Sequence, residues 1–237
     1  VTAYTDPSKF EVERKLLRQL PIPLAHVSQL ASPGSCLVHD ALGVPIIVTR
    51  NRQGELHAML NVCRHRGARL VEQEGFCQVR KGFRCHYHGW TYDTDGKLVH
   101  VPNEGLFSSL DKETRPLVAL PVHERFGLIW VVATPGAQHD FDSFLDPLED
   151  DLAPLDLQSH VVFRRATTTR RTNWKLVMEA FLDGYHVEHL HKKTVAPYFL
   201  DNRSYAERTG PHVRSIVGRT GFAKAVESGH VEEIRDI

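Results

Sequence analysis

Apolar and polar positions along the chain fall into runs of different period, and the period changes at identifiable residues. Between residues 7 and 20, Phe10, Leu16, Leu17 and Leu20 lean to one side at helical spacing. Pro7 suits a first helical turn, and Pro21 and Pro23 cannot continue one, so a helix is predicted over 7–20. From residue 36 to 62 the pattern turns to strands. Residues 44–48 form a continuous apolar run and 56–62 an alternating one, divided by the turn signal Asn51-Arg52-Gln53-Gly54. A weak strand pair is predicted over 76–83 around Lys81-Gly82, a hairpin turn over 92–97, and a buried strand over 127–133.

Residues 134–160 have another character. They carry Pro135, Gly136, Pro147, Pro154 and seven acidic side chains, and read as a linker with short helical turns and a solvated surface. Residues 161–172 are rich in β-branched side chains and read as a strand. Residues 173–189 return to helical spacing. The layout expected is an N-terminal helix and lead-in (1–35), a small all-β unit with loop tips at one end (36–133), an acidic linker (134–160) and a second, mixed unit (161–237).

Composition narrows the class. Twenty-nine basic and twenty-nine acidic residues cancel, which argues against a nucleic-acid partner, since that needs a basic stripe. No apolar run approaches the roughly 18 residues of a membrane span, and no charged-then-apolar leader opens the chain. Because it starts at Val1 rather than Met, a trimmed N-terminus is expected. The four cysteines fit a reducing, cytoplasmic setting better than a disulfide framework, with Cys36 and Cys77 as ordinary thiols.

The chemistry concentrates first at Cys63-Arg64-His65 and, nineteen residues on, Cys85-His86-Tyr87-His88-Gly89-Trp90. Each cluster offers one thiolate and one imidazole. Two such loops can hold a [2Fe–2S] cluster, the thiolates on one iron and the imidazoles on the other. Replacing two thiolates by neutral histidines removes negative charge and lifts the potential to roughly −150 to +300 mV. A structural Cys2His2 zinc site is the alternative from ligand types alone. The full pattern, with Arg66-Gly67 and Gly89-Trp90 flanking the ligands, resembles the Rieske motif. The resemblance implies Cys63, His65, Cys85 and His88 as cluster ligands and passes over His86.

The second concentration is the stretch from Asn173-Trp174-Lys175 to His191. On a ~3.6-residue helix Glu179, Asp183 and His186 share a face. Periodicity would pair His186 with His189, three residues on, because His191 at five residues falls on another side of a straight helix. The segment also resembles the catalytic domain of Rieske non-heme iron oxygenases, whose Asp-x-x-His-x-x-x-x-His is matched by Asp183, His186 and His191. That resemblance implies His186 and His191 as ligands of a mononuclear Fe(II), with a helix end between them and His189 and Glu188 as bystanders. It makes Asp183 the carboxylate that links the two metal centres, bonded to His186 and to His65 or His88 of a neighbouring subunit. The third iron ligand, a carboxylate, is expected beyond Ile237. Glu232, Glu233 and Asp236 come too early for it, so the catalytic domain looks truncated.

The fold expected is therefore α+β: an all-β Rieske [2Fe–2S] domain followed by part of a helix-grip catalytic domain, an antiparallel sheet with helices. The resemblance implies the large (alpha) terminal oxygenase subunit of a ring-hydroxylating or demethylating system. Its cofactors would be a Rieske [2Fe–2S] cluster and mononuclear Fe(II). Its partners would be an NAD(P)H-dependent reductase, with or without a ferredoxin, O2, and a small organic, aromatic substrate. A homotrimer is implied, to which a small beta subunit can be added. A Rieske ferredoxin-like electron carrier and a zinc-stabilised binding module are the competing readings. No glycine-rich dinucleotide loop is present. Phe181, Tyr198, Phe199 and Phe222 read as core packing, with an apolar pocket wall as the alternative.

Overall fold

The computed structural model describes residues 1–229, with backbone only for 201–203. Glu232, Glu233 and Asp236 lie outside the described residues. The chain divides into two compact units, Ser8–Ala166 and a second made of Val1–Pro7 with Thr167–Ile237. In chain order the regular elements begin with helices α1 (Thr2–Thr5) and α2 (Pro7–Leu17), then strands β1 (Pro21–His26), β2 (Ser35–Ala41), β3 (Val44–Arg50) and β4 (Leu56–Leu60). Next come β5 (Gly75–Gln78), β6 (Phe83–Arg84), β7 (Thr91–Tyr92), β8 (Leu98–His100), β9 (Ala119–Leu120), β10 (Val122–Arg125) and β11 (Leu128–Val132). Short helices α3 (Phe141–Leu145) and α4 (Glu149–Leu152) follow, then α5 (Trp174–Leu182), α6 (Val187–Leu190), β12 (Phe199–Thr209), β13 (His212–Arg219) and α7 (Thr220–Glu227).

In the first unit a five-stranded antiparallel sheet, ordered β5-β2-β3-β4-β9, carries the core. Strand side chains alternate between faces. Cys36, Val38, Ile47 and Met59 therefore point to one side, where they pack with Cys63, Phe83, Cys85, Trp90, Tyr92 and Leu98 of the loop-bearing half. Leu37, Ile46, Val48 and Ala58 point to the other, against Ile129 and Val131 of a three-stranded sheet ordered β1-β11-β10. The central strand β3 is apolar without alternation because both of its faces are covered. A third small sheet, β6-β7-β8, supports the second Cys–His loop, and the predicted turn between β7 and β8 closes through Asp93, whose carboxylate accepts from the Asp95 and Lys97 amides.

One strand went unpredicted, and three expectations in the first unit and the segment after it are corrected. Residues 21–26 form a strand, which the two prolines concealed. β1 is an edge strand paired only with β11, the place in a sheet where proline is tolerated. Residues 76–83 are not a strand pair: β5 joins β2 and β6 joins β7. Residues 161–172 carry no regular structure, since β-branched composition forms a strand only against a partner, and none pairs with this segment among the described residues. Cys36 and Cys77 are not ordinary thiols. They stand directly opposite on β2 and β5, Cα atoms 5.1 Å apart, and are joined as a disulfide. A pairing across 41 residues of sequence follows from strand register, which cysteine spacing does not reveal.

The second unit contains α5, α6, the β12–β13 hairpin and α7. The run 173–189 is not one helix. Asn173 caps α5, its side chain accepting from the Lys175 amide, and the helix ends at Asp183, which is extended (φ −88°, ψ 110°). Glu179, Asp183 and His186 therefore do not share one helical face. No described helix is long and apolar enough to cross a membrane.

Candidate metal centres

The two Cys–His loops are built alike. In the first, the Gly67 amide donates to the Cys63 carbonyl (3.0 Å) and the Cys63 amide to the Ala68 carbonyl (2.8 Å). In the second, the Gly89 amide donates to the Cys85 carbonyl (2.9 Å) and the Cys85 amide to the Trp90 carbonyl (2.8 Å). Each turn closes on a left-handed glycine, Gly67 at φ 75° and Gly89 at φ 74°. At Gly89 a Cβ would also meet the Pro102 ring at 2.9 Å. The glycines flanking the ligands are thus demanded by backbone geometry.

The donor atoms are arranged by depth. Cys63 and Cys85 are buried as free thiols, whereas His65 is half-buried and His88 exposed. The two imidazoles meet edge to face with centroids 4.6 Å apart, and His65 stacks flat on the Trp90 indole at 4.8 Å. Burial pushes the Cys63 thiol pKa up. The Tyr92 hydrogen bond and the His65 amide oppose that rise, and Cys85 adds to it. Burial, then the neighbouring His88 and Arg66 charges, hold the His65 imidazolium down, so the ring is kept in its neutral, metal-binding form. The buried Nδ1 of His65 has no hydrogen-bond partner. A buried polar atom left bare is costly, and the ring that carries it packs against a second imidazole, while the His65 amide reaches the Cys63 thiol. Two buried thiols and two imidazoles nearer the surface are a donor set that fits a [2Fe–2S] cluster, which Cys63, Cys85, His65 and His88 would hold.

In the second unit the helix break sets the histidines. His186 opens α6 and His191 closes it, and their ring centroids lie 5.3 Å apart. His189 faces Tyr185 instead, at 6.1 Å. The Asp183 carboxylate receives the Tyr185 amide on Oδ1 (2.9 Å) and stands 3.4 Å from His186 Nδ1 through Oδ2. A proton held on Nδ1 by that carboxylate leaves Nε2 to bind metal. An apolar hollow beside the two histidines is walled by Phe181, Val187, Leu190, Val195, Phe199 and Val217. Phe181 and Phe199, for which the sequence left a pocket wall as the alternative to core packing, border this hollow. Two partners were missed in the sequence, Tyr92 beside Cys63 and Tyr4 beside Glu179, because neither lies near its partner in the chain.

Residues 21–111 match the Rieske [2Fe-2S] domain, and residues 157–236 the ring hydroxylating alpha subunit catalytic domain. The chain belongs to the family of Rieske oxygenase large subunits, and its two domain types imply a Rieske cluster and a mononuclear iron. It is 33% identical over 204 residues to the anthranilate 1,2-dioxygenase large subunit of Acinetobacter baylyi, covering 81% of this chain and 42% of that protein. It is 30% identical over 221 residues to the glycine betaine monooxygenase oxygenase subunit of Chromohalobacter salexigens, covering 91% of this chain and 48% of the relative. The quaternary ammonium Rieske monooxygenase CntA bound to L-carnitine superposes with a TM-score of 0.79 at 25% identity, covering 91% of this chain and 61% of that one. The chain spans about half the length of the curated relatives it matches.

Proposed function

We propose that this chain serves in a terminal oxygenase that takes electrons one at a time and hydroxylates, or oxidatively demethylates, a small organic molecule. The observation that carries the reading is the bare, buried Nδ1 of His65 beside His88 and the two buried thiols. Residues 36–133 would form the electron-accepting domain, and residues 161–237 would belong to the catalytic domain.

When bound, the cluster would carry single electrons and the iron would activate O2 for insertion into substrate. The chain's own residues have distinct tasks. Cys63 and Cys85 supply two thiolates from the buried floor, and His65 and His88 supply neutral imidazoles toward the surface. Trp90 holds the His65 ring flat. Asp183 keeps the Nδ1 proton of His186 in place, so that His186 and His191 offer their other nitrogens to one iron. The apolar wall beside them suits an aromatic or other apolar body better than a charged head group.

Electrons would come from a reductase drawing on NAD(P)H, directly or through a ferredoxin. The assembly would be a ring, a homotrimer with or without a small beta subunit, in which His65 or His88 of one subunit faces Asp183 of the next. Exposed apolar side chains beside the ligand loops, Tyr87 at 56% and Leu106 at 82%, support a contact there. One solved CntA structure is described in terms of inter-subunit electron transfer.

The test is O2-driven reoxidation of the reduced full-length protein, followed optically with anthranilate, glycine betaine, L-carnitine or naphthalene present. An oxygenase reoxidises faster with one of these compounds and yields oxygenated product. An electron carrier reoxidises at one rate throughout.

A further inference from the structure

α5 is nine residues long and ends at Asp183. One residue near the start of the sequence, Tyr4, braces it at two points, once through its backbone and once through its side chain. The Tyr4 carbonyl accepts from Asn173 Nδ2 (3.0 Å) at the N-cap, and the Tyr4 hydroxyl donates to both Glu179 oxygens (2.9 and 3.0 Å) in the last turn. The Lys175 ammonium lies 5.6 Å from the Tyr4 ring centre, between those points. Tyr4 and α5 belong to the same compact unit.

The brace leads on to the proposed iron site. The Glu179 carbonyl accepts from the Asp183 amide (2.9 Å), the bond that ends α5. Asp183 then takes the Tyr185 amide on one oxygen and stands against His186 Nδ1 with the other. Tyr4 and His186 are thus joined through Glu179 and Asp183. If the last turn of α5 frays, the Asp183 carboxylate loses the anchor that aims it.

We propose that Tyr4 is a positioning residue for the mononuclear iron site. By clamping Glu179 it fixes the final turn of α5 and with it the Asp183 carboxylate that orients His186. The proposal rests on the assignment of His186 and His191 to iron. It gives Val1–Pro7 a role in the chemistry of a site some 180 residues away, the Tyr4–Glu179 separation being 175.

The experiment compares full-length wild-type protein with Tyr4→Phe, Glu179→Ala, Glu179→Gln and the double variant Tyr4→Phe/Glu179→Ala. In iron-depleted protein, amide exchange at Asp183 is expected to speed up about 5–10-fold in Tyr4→Phe, the scale of one ordinary hydrogen bond lost at the surface. Fe(II) affinity should fall by a similar factor, and kcat should drop while KM for substrate holds. The cluster's visible spectrum should not change. Glu179→Gln, which keeps an acceptor oxygen, should lose less than Glu179→Ala, and the double variant should be no worse than Glu179→Ala alone. Wild-type exchange and iron affinity in Tyr4→Phe, with iron still lost on His186→Ala, would overturn the proposal and leave the site assignment standing. Iron that survives His186→Ala would overturn both.

Discussion

The Tyr92 hydroxyl stands 3.5 Å from the Cys63 sulfur and accepts the Arg64 amide at 3.0 Å. A Cys63 sulfur bound to a cluster carries no proton, so in that contact the phenol would donate and the sulfur accept. Burial, and then the hydrogen bond to Cys63, raise the Tyr92 pKa, so the proton stays on the ring. Tyr92 is fully buried and cannot turn to water. A hydrogen bond to a cluster sulfur stabilises the more electron-rich, reduced form. Tyr92→Phe should therefore lower the reduction potential by about 20–60 mV, equivalent to ~0.5–1.5 kcal/mol for a one-electron step. Voltammetry of the purified variant gives the value, and an unchanged or higher potential would contradict the assignment of Cys63 as a ligand.

The two histidine arguments make opposite forecasts. Straight-helix periodicity pairs His186 with His189, whereas the break at Asp183–Gly184 sets His186 and His191 at the two ends of α6. His186→Ala or His191→Ala should strip the mononuclear iron and abolish oxygenation while leaving the cluster spectrum intact. His189→Ala should keep both. Metal analysis of the three variants separates the cases, and loss of iron in His189→Ala alone would restore the periodicity argument.

Much of the fold was legible because burial imposes a short period. The continuous apolar text of β3, the alternation of β4 and the buried run of β11 each announced their strands. The Cys and His of the first centre were legible because backbone geometry ties them to Gly67 and Gly89, leaving a fixed pattern in sequence. What escaped depends on register between distant segments. Strand β1 hides behind Pro21 and Pro23, the Cys36–Cys77 pair needs β2 aligned with β5, and the helix break at Asp183 overrides a periodicity that runs through it. Neither Tyr92 nor Tyr4 is marked by any local pattern.

The disulfide gives a stability forecast. Closing 41 residues of chain, it should contribute about 2–4 kcal/mol, chiefly by restricting the unfolded state. Thiol titration of residues 1–237, denatured and metal-free, should find the two free thiols of Cys63 and Cys85, rising to four after reduction. Cys36→Ser/Cys77→Ser should lower the unfolding midpoint without altering the cluster spectrum. Four thiols before reduction would show that the pair is open in solution.

Asp183 tests the route between the centres. Asp183→Asn keeps the size of the side chain and one oxygen but loses the charge that faces His186 Nδ1. The fold and the cluster should remain, and iron, held about 10–100-fold more weakly, should be restored by excess Fe(II), while electron transfer from reduced cluster to iron slows by a similar factor or more. Rapid mixing of the reduced protein with substrate and O2 measures the step. An unchanged rate, or a monomer with full activity, would contradict the intersubunit route.

The most direct test of the whole account is the metal content of the full-length protein. Iron and acid-labile sulfide are measured per chain, together with the paramagnetic resonance of the reduced protein. The account predicts three irons, two sulfides and a rhombic signal that vanishes in Cys63→Ser and Cys85→Ser. Two irons and two sulfides would leave only an electron carrier, and a colourless protein holding zinc would contradict the account outright.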